Sequence, residues 1–446
     1  MFEKLKSMWY ALLHKLLKSK KKEYDGKAAD TGIQPYTDIK NINWLAIAVK
    51  KLTNLACNEA TFEIISDSTA TEEIKLLASD TEAHRFEITT GMLAEGDYYI
   101  FPYTDSTGEL KHSYLDASRV RITAMAGDKI TQAYAVIDYI QPDSKSDKCY
   151  FLLRHHNLDE KGTLTVKYQT VDERGNISSG EYWPEYDGVI NTFANAGNIG
   201  FGRYKSPVSS RGYSPVYGVP LNFGCSDIEN KINETVKQIE TEFKNAKSII
   251  FTDPRNLFED TENKEYKLAS NIIPIKRNPA DNGSQIDIFN PQIRGSEHWE
   301  KLNKYLETYE QQIGVSKGIF TDNSSTATAT ATAVKRANSD TISLLNAIHT
   351  ALDKGNLMTF EADSVYLNVR RDLWEYRSDY FDPFEDPAEQ WQRLLEAKDA
   401  GAVSTERLIK WLYPDMTDED VAEELFKISA AASSAEQSAI ERALMM

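Results

Sequence analysis

Three cysteines in 446 residues, Cys57, Cys149 and Cys225, with no C-x-x-C spacing, leave no disulfide framework and no cysteine knuckle. That usage suits a reducing compartment, with the thiols serving as small buried residues. No G-x-x-x-x-G-K-[ST] phosphate loop occurs, so any ATP-driven work belongs to a partner. The seven histidines include no H-E-x-x-H, and His155 and His156, adjacent in a strand-like run, point to opposite faces. No metal, cofactor or catalytic residue is therefore expected. One literal G-x-S-x-G occurs, Gly314-Val315-Ser316-Lys317-Gly318. A hydrolase elbow needs a buried strand before the serine and a helix after it; here an amphipathic helix precedes and a loop follows. A serine hydrolase using Ser316 is thus the minor alternative, and the chain is expected not to be an enzyme. Basic residues are also in deficit, with a formal net charge of −17 that ill suits an outer surface gripping nucleic acid.

What is present is ample packing material. The 41% apolar and 11% aromatic content excludes general disorder, and the length exceeds what one simple core holds, so two or more subdomains are expected. Charge is uneven. Residues 1–23 hold seven lysines against Glu3 and Glu23, a balance of +5, and from Asp382 onward fifteen acids face six bases, a balance of −9. The first helix sets Phe2, Leu5, Trp9, Leu12 and Leu16 on one face and ends in Lys20-Lys21-Lys22. Lysines 4, 6, 15 and 18 break it too often for a bilayer span. Docking on its own domain or a neighbour is the first reading, with membrane or nucleic-acid contact as alternatives.

Asn43–Cys57 reads as a helix with Leu45, Ala48, Val49, Leu52 and Leu55 inward. Thr61–Ile65 opens a β-rich region with helical segments at Glu72–Leu77 and Glu82–Leu93. Strand-like runs follow at 98–103, 110–115, 120–124, 130–140, 150–155 and 164–171, separated by glycine turns, which predicts an antiparallel meander.

The most periodic stretch comes next. Ser226 and Glu229 form a capping-box pair, followed by Ile228, Ile232, Val236, Ile239 and Phe243 on one face. A second helix from Ser296 repeats the pattern with Trp299, Leu302, Leu306, Tyr309 and Ile313. Between them lie short strands at Ile249–Phe251, Ile272–Ile275 and Ile286–Phe289, with a turn at Asp281-Asn282-Gly283. An antiparallel helix pair with a β module at one end is the simplest arrangement. The alternation Thr326–Thr332 then predicts a loop turning helical, followed by a long helix striped by Val334, Ala337, Thr341, Leu345, Ile348 and Leu352. At the far end, Trp391, Leu394 and Leu395 mark a helix stopped by Gly401. Ser404 caps another carrying Leu408, Ile409 and Leu412, and Thr417 to Asp420 open a last one with Val421, Leu425 and Ile428.

This order of elements resembles the portal proteins of tailed bacteriophages, those of Gram-positive-type phages in particular. The run Thr330-Ala-Thr-Ala-Val334 is similar to the family's Thr-Ala-Thr-Glu-Val/Ile, with Ala333 in place of the glutamate. The resemblance implies an α+β portal fold. Its parts would be an N-terminal and β-rich wing (1–225), a first stem helix (226–247), a clip (248–295), a second stem helix (296–313), a tunnel loop (314–332), a long helix with the wing return (333–381) and a helical crown (382–446). It further implies a dodecameric ring at one capsid vertex, a head-tail connector through which double-stranded DNA is packaged and ejected without being read. The implied partners are the terminase large subunit, a head-tail adaptor and the major capsid and scaffolding proteins, with no membrane. The location would be the virion, after assembly in the host cytoplasm. Candidate channel residues are Lys317, Ser324, Ser325, Thr326, Thr328, Lys335 and Arg336, and the stem would pack through the two stripes named above. Another virion component, such as an adaptor or minor capsid protein, is the alternative.

Overall fold

The computed structural model describes residues 41–428 except 67, 106, 142–147, 179–181, 187, 210–215, 246–248, 253–271, 275–285, 290–291, 322–330, 381–382, 385–386, 402, 414–415 and 418–419. The expected helix at 2–16, the lysines at 20–22, the turn at 281–283 and the loop residues Ser324, Ser325, Thr326 and Thr328 lie outside the described residues. The fold mixes helix and sheet, and the chain divides into two units, one of 1–324 with 338–381 and one of 325–337 with 382–446.

The first unit begins with helix α1, Trp44–Cys57, capped by Asn43, whose Oδ1 accepts the Ala46 amide at 3.0 Å. Its apolar spacing buries Ala48, Val49, Leu52 and Ala56. Strand β1 is Thr61–Ile65; helices α2, Glu72–Ala83, and α3, Arg85–Glu95, follow. Gly96, at φ +92°, ends α3 and turns the chain into β2, Asp97–Thr104. Then come β3, Leu110–Asp116; β4, Val120–Ala126; β5, Lys129–Ile140; β6, Tyr150–Leu158; and β7, Leu164–Asp172. Two short strands, β8 at Ile190–Phe193 and β9 at Gly202–Lys205, escape the sequence pattern because four residues flanked by turns carry too little alternation.

The single meander expected from the sequence is three sheets. Strands β4 to β8 do form an antiparallel meander in chain order, whereas β2 sits between β3 and β9. Strand β1 pairs antiparallel with β13, Glu375–Asp379, so that Thr61 lies opposite Asp379. Alternation marks a strand but not its partner, and these partners are chosen by what the strands can cover. Tyr99, Phe101 and Phe201, from β2 and just before β9, meet the inner face of the meander, with Phe101 and Phe201 stacked 4.5 Å apart. His156 of β6 is fully buried beside them, its Nδ1–H bonded to the Ile199 carbonyl, and burial holds its pKa well below the usual histidine value. His155, on the opposite face, stacks on Tyr134.

Helix α7, Ser339–Tyr366, crosses this core. The expected continuous helix from 333 is instead two, because Asn338 leaves the helical region (φ −103°, ψ 15°) and separates α7 from α6, Ala331–Ala337. Asparagine favours helix ends over interiors, and its carbonyl accepts the Ile342 amide as the first bond of α7. Ala337, expected on the stripe, is exposed, whereas Thr341, Leu345, Ile348 and Leu352 are buried as expected. Further along, α7 presents a polar seam. Asn356 accepts from the Tyr204 hydroxyl at 2.7 Å and donates to Tyr376, and Asp363 pairs with His112 at 3.0 and 3.1 Å, both side chains fully buried. Glycines permit this approach: a Cβ on Gly355 would lie 2.2 Å from the Tyr204 ring, and one on Gly202 would lie 1.8 Å from Thr359 Oγ1.

The second unit, described by itself, holds α6, α8 at Pro387–Asp399, α9 at Thr405–Leu412 and a helical run at 420–428. Gly401, at φ +74°, follows α8, and the Ser404 hydroxyl caps α9 by accepting the Arg407 amide. Thr417 and Asp420 exchange side-chain and backbone bonds at the start of the last run. Leu408, Ile409 and Val421 are buried. Leu395, expected inward, and Leu412 and Ile428, expected on the apolar faces of their helices, are 36%, 47% and 42% exposed, because the described short helices of this unit do not enclose a second apolar face.

Replacing a mid-helix glycine by alanine ordinarily stabilises by about 1 kcal/mol. For Gly355→Ala the clash with the buried Tyr204 ring reverses the sign, and unfolding is expected about 1–3 kcal/mol easier. Denaturant titration of the two proteins checks this; a variant as stable as the parent refutes the close contact.

Candidate functional site

Helices α4, Ser226–Asn245, and α5, Gly295–Ile313, flank a three-stranded module of β10, Ile249–Thr252, β11, Ile272–Pro274, and β12, Ile286–Phe289. Strand β10 is central, parallel to β11 and antiparallel to β12. At about 1.5 Å per residue the helices run about 30 and 28 Å. Gln238 meets Lys301 and Glu242 meets His298 and Arg294, so advancing along one helix means retreating along the other, and the pair is antiparallel.

The start of α4 differs from the expected capping box. The Glu229 amide donates to the Cys225 carbonyl, and the Glu229 carboxylate accepts from Asn222 Nδ2, so the helix turns one residue earlier and Ser226 does not cap it. Ile228, Ile232 and Ile239 are buried and Val236 half-buried; opposite them Leu302, Leu306, Tyr309 and Ile313 are buried. Phe243 and Trp299 break the expectation. They are 52% and 55% exposed, both sitting near the module end of the pair, where among the described residues nothing covers them. Buried Asn233 bonds the Ile42 amide and Trp44 Nε1, fixing α4 to the chain before α1.

Gly314, left-handed at φ +83°, stops α5. Ser316 and Thr341 then exchange bonds, the Ser316 amide donating to Thr341 Oγ1 at 2.9 Å and the Thr341 amide to Ser316 Oγ at 3.3 Å. Ser316 is buried and follows a helix stop, not a strand, so the elbow geometry of a hydrolase is absent at this serine. Lys317 is exposed, with Nζ 3.3 Å from Glu307 of α5. The following backbone wraps a carboxylate: Glu310 accepts the amides of Gly318, Phe320 and Thr321 at 3.1, 2.5 and 3.2 Å. Lys51 of α1 reaches the Ile319 carbonyl and lies over the Phe320 ring.

Of the candidate channel residues, Lys317 therefore stands on this fixed loop base, whereas Lys335, half-buried, and Arg336, exposed, belong to α6 in the second unit. Sequence reasoning missed Glu310. A signal was present, for an acid at 310 lies four residues from Leu306 and three from Ile313, inside an apolar stripe and just before two glycines. Cys57, Cys149 and Cys225 are buried and form no disulfide, and burial raises the Cys57 and Cys225 thiols, the latter to about 11. Among the described residues no group of three or more His, Cys, Asp or Glu could hold a metal, and no helix is long and apolar enough to cross a membrane.

No protein-family model and no curated protein matches the sequence. Among solved structures the fold is similar to a chain of the neck of an empty gene transfer agent particle computed with C6 symmetry. Identity is 14%, 83% of this chain and 90% of that chain are covered, and the TM-score is 0.42. It is also similar to a chain of the native particle's neck computed with C12 symmetry, at 13% identity, 81% and 88% coverage and TM-score 0.41. A third is an HK97-family phage portal protein from Corynebacterium diphtheriae, at 7% identity, 78% and 93% coverage and TM-score 0.31.

Hydrogen bonds from the Arg294 amide, the Arg294 guanidinium and His298 hold the Glu242 carboxyl down at about 2, from an ordinary 4.5. A depressed carboxyl contributes stability that is complete above its unfolded pKa and is lost as pH falls through the folded one. The stability gap between the parent and Glu242→Gln is expected to be constant above about pH 5 and to shrink towards pH 2. Unfolding midpoints measured across that range check it, and a gap independent of pH contradicts the clasp.

Proposed function

We propose that copies of this chain close into a portal ring at one capsid vertex, a virion connector whose channel passes double-stranded DNA during packaging and ejection. The observation that carries the reading is the antiparallel pair α4 and α5 bracketing a three-stranded module, with an anchored loop and a long wing helix directly after it. In this reading the pair is the stem, the module the clip, the segment 314–332 the tunnel loop, the β-rich region 1–225 the wing with its return through 333–381, and 382–446 the crown. The assembly is a dodecamer.

The exposed pair Phe243 and Trp299 supports a heterologous interface, in which a neighbouring stem covers what one chain leaves bare. DNA is contacted through phosphates and without sequence preference, by Lys317 at the loop base and by Lys335 and Arg336, with the small residues Ser324, Ser325, Thr326 and Thr328 letting the loops converge. The net acidity of the chain suits a conduit from which DNA must slide free. With no phosphate loop of its own, the ring takes its driving force from a terminase large subunit. It also docks a head-tail adaptor and sits among the major capsid and scaffolding proteins, having assembled in the host cytoplasm.

Native mass spectrometry and negative-stain imaging of the purified protein test this. Rings of about twelve copies with a central hole are expected, and isolated globules without a pore overturn it. Lys317→Glu is expected to leave rings intact while lowering the packaging or retention of DNA. Trp299→Glu is expected to leave a folded chain that no longer closes; rings formed as readily by that variant refute the stem interface.

A further inference from the structure

The loop base is built round a charge that the channel chemistry above does not use. Glu310 is fully enclosed (0% exposed), and among the described residues no cation pairs with it. An isolated buried carboxylate is costly unless hydrogen-bonded. Here Oε1 accepts from Phe320 and Thr321 and Oε2 from Gly318, so the backbone forms a concavity of converging amides about an anion. Gly318, at φ +94°, supplies the left-handed turn that brings them together. None of this is needed to end α5, which Gly314 stops by itself. An apolar residue at 310 would extend the stripe of Leu306, Tyr309 and Ile313, so the carboxylate serves the loop at the expense of the helix pair.

We infer that Glu310 is the positioning residue for Lys317. The lysine stands between two clamps, Ser316 tied to Thr341 of α7 and Gly318 tied to Glu310 of α5, so its backbone is fixed on both sides while its side chain stays exposed. The consequence for DNA rests on the channel reading; the clamp itself does not. Neutralising Glu310 frees the chain after Lys317 without touching the lysine.

Glu310→Gln is the decisive variant. A glutamine oxygen accepts at most two of the three amides, and its NH2 group opposes the remaining N–H. Hydrogen exchange on assembled rings should show the amides of Gly318, Phe320 and Thr321 exchanging at least about tenfold faster. Leu306 and Tyr309 in the middle of α5 should keep their parental rates. DNA retention in filled particles should fall in the same direction as for Lys317→Glu, with ring size unchanged. Parental exchange at all three amides overturns the inference, as does equal acceleration in α5, which would make Glu310 an ordinary fold residue. Local acceleration with full DNA retention upholds the clamp and instead refutes Lys317 as a channel contact. Should Glu310→Gln assemble poorly, Glu310→Asp, one methylene short with the charge kept, is measured the same way and should also speed exchange at the three loop amides.

Discussion

A tight constraint on the fold is the contact between the long helix and strand β9, where side chains are missing from both sides at the right places. Gly355 leaves room for the Tyr204 ring and Gly202 leaves room for Thr359. Because the two backbones come this near, polar groups of the helix reach partners that would otherwise be out of range: Asn356 reaches the Tyr204 hydroxyl, and Asp363 reaches His112 of β3. Hydrogen bonds are directional and buried polar groups demand partners, so this seam fixes the rotation and height of the helix in a way an apolar stripe alone would not. Trp374 extends the effect by donating its indole N–H to Ser364, which seats the β1–β13 ribbon.

That rigidity carries to the other end of the same helix. Thr341, two residues into it, is the partner of Ser316, so the loop leaving α5 is bolted to an element whose position the sheets determine. Glu310 bolts it to α5, and Lys51 reaches it from α1. Three elements, one adjacent in sequence and two distant, thus agree on where residues 316–321 stand. A lysine presented from such a base has a defined backbone position while its side chain remains exposed. The exposed pair with Glu307 is of a kind worth at most about 1 kcal/mol.

Much of this was legible because periodicity is a local property. The spacing of Ile228 to Ile239 and of Leu302 to Ile313 gives both helices of the pair, and alternation gives β2 to β7 within a few residues. Glycine marks the stops at 314 and 401 because a left-handed residue costs it nothing. What the sequence conceals is partnership. Nothing in Thr61–Ile65 announces a partner more than three hundred residues away, and nothing in Ser226 tells that Cys225 and Asn222 already satisfy the groups a capping box would use. Asn338 illustrates a milder failure: the stripe from Val334 to Leu352 is regular enough to hide a break that one polar residue is sufficient to make. For the site, periodicity found the helices and stopped there: an acid at 310 interrupts the apolar stripe, but the backbone amides that bond it carry no sequence signature of their own.

Phe243 and Trp299 mark the place where a single chain ceases to explain itself. Their spacing puts them on the stripes, yet at the module end of the pair both rings face solvent. Covering a large side chain of this kind contributes about 1.5–3 kcal/mol. Two such residues per copy are little for a dimer, but in a closed ring every copy donates one flank and receives another, so the contribution recurs at each interface and no open end remains. The acidic surface works in the opposite sense, because like charges on neighbouring copies repel. In the proposed ring the apolar flanks would have to outweigh that repulsion, and the clasp of Glu242 with Arg294 and His298 would keep the two helices in register so that both aromatics are offered together. A loosened clasp would leave each aromatic on a separately moving helix, and the interface would lose its shape before the chain lost its fold.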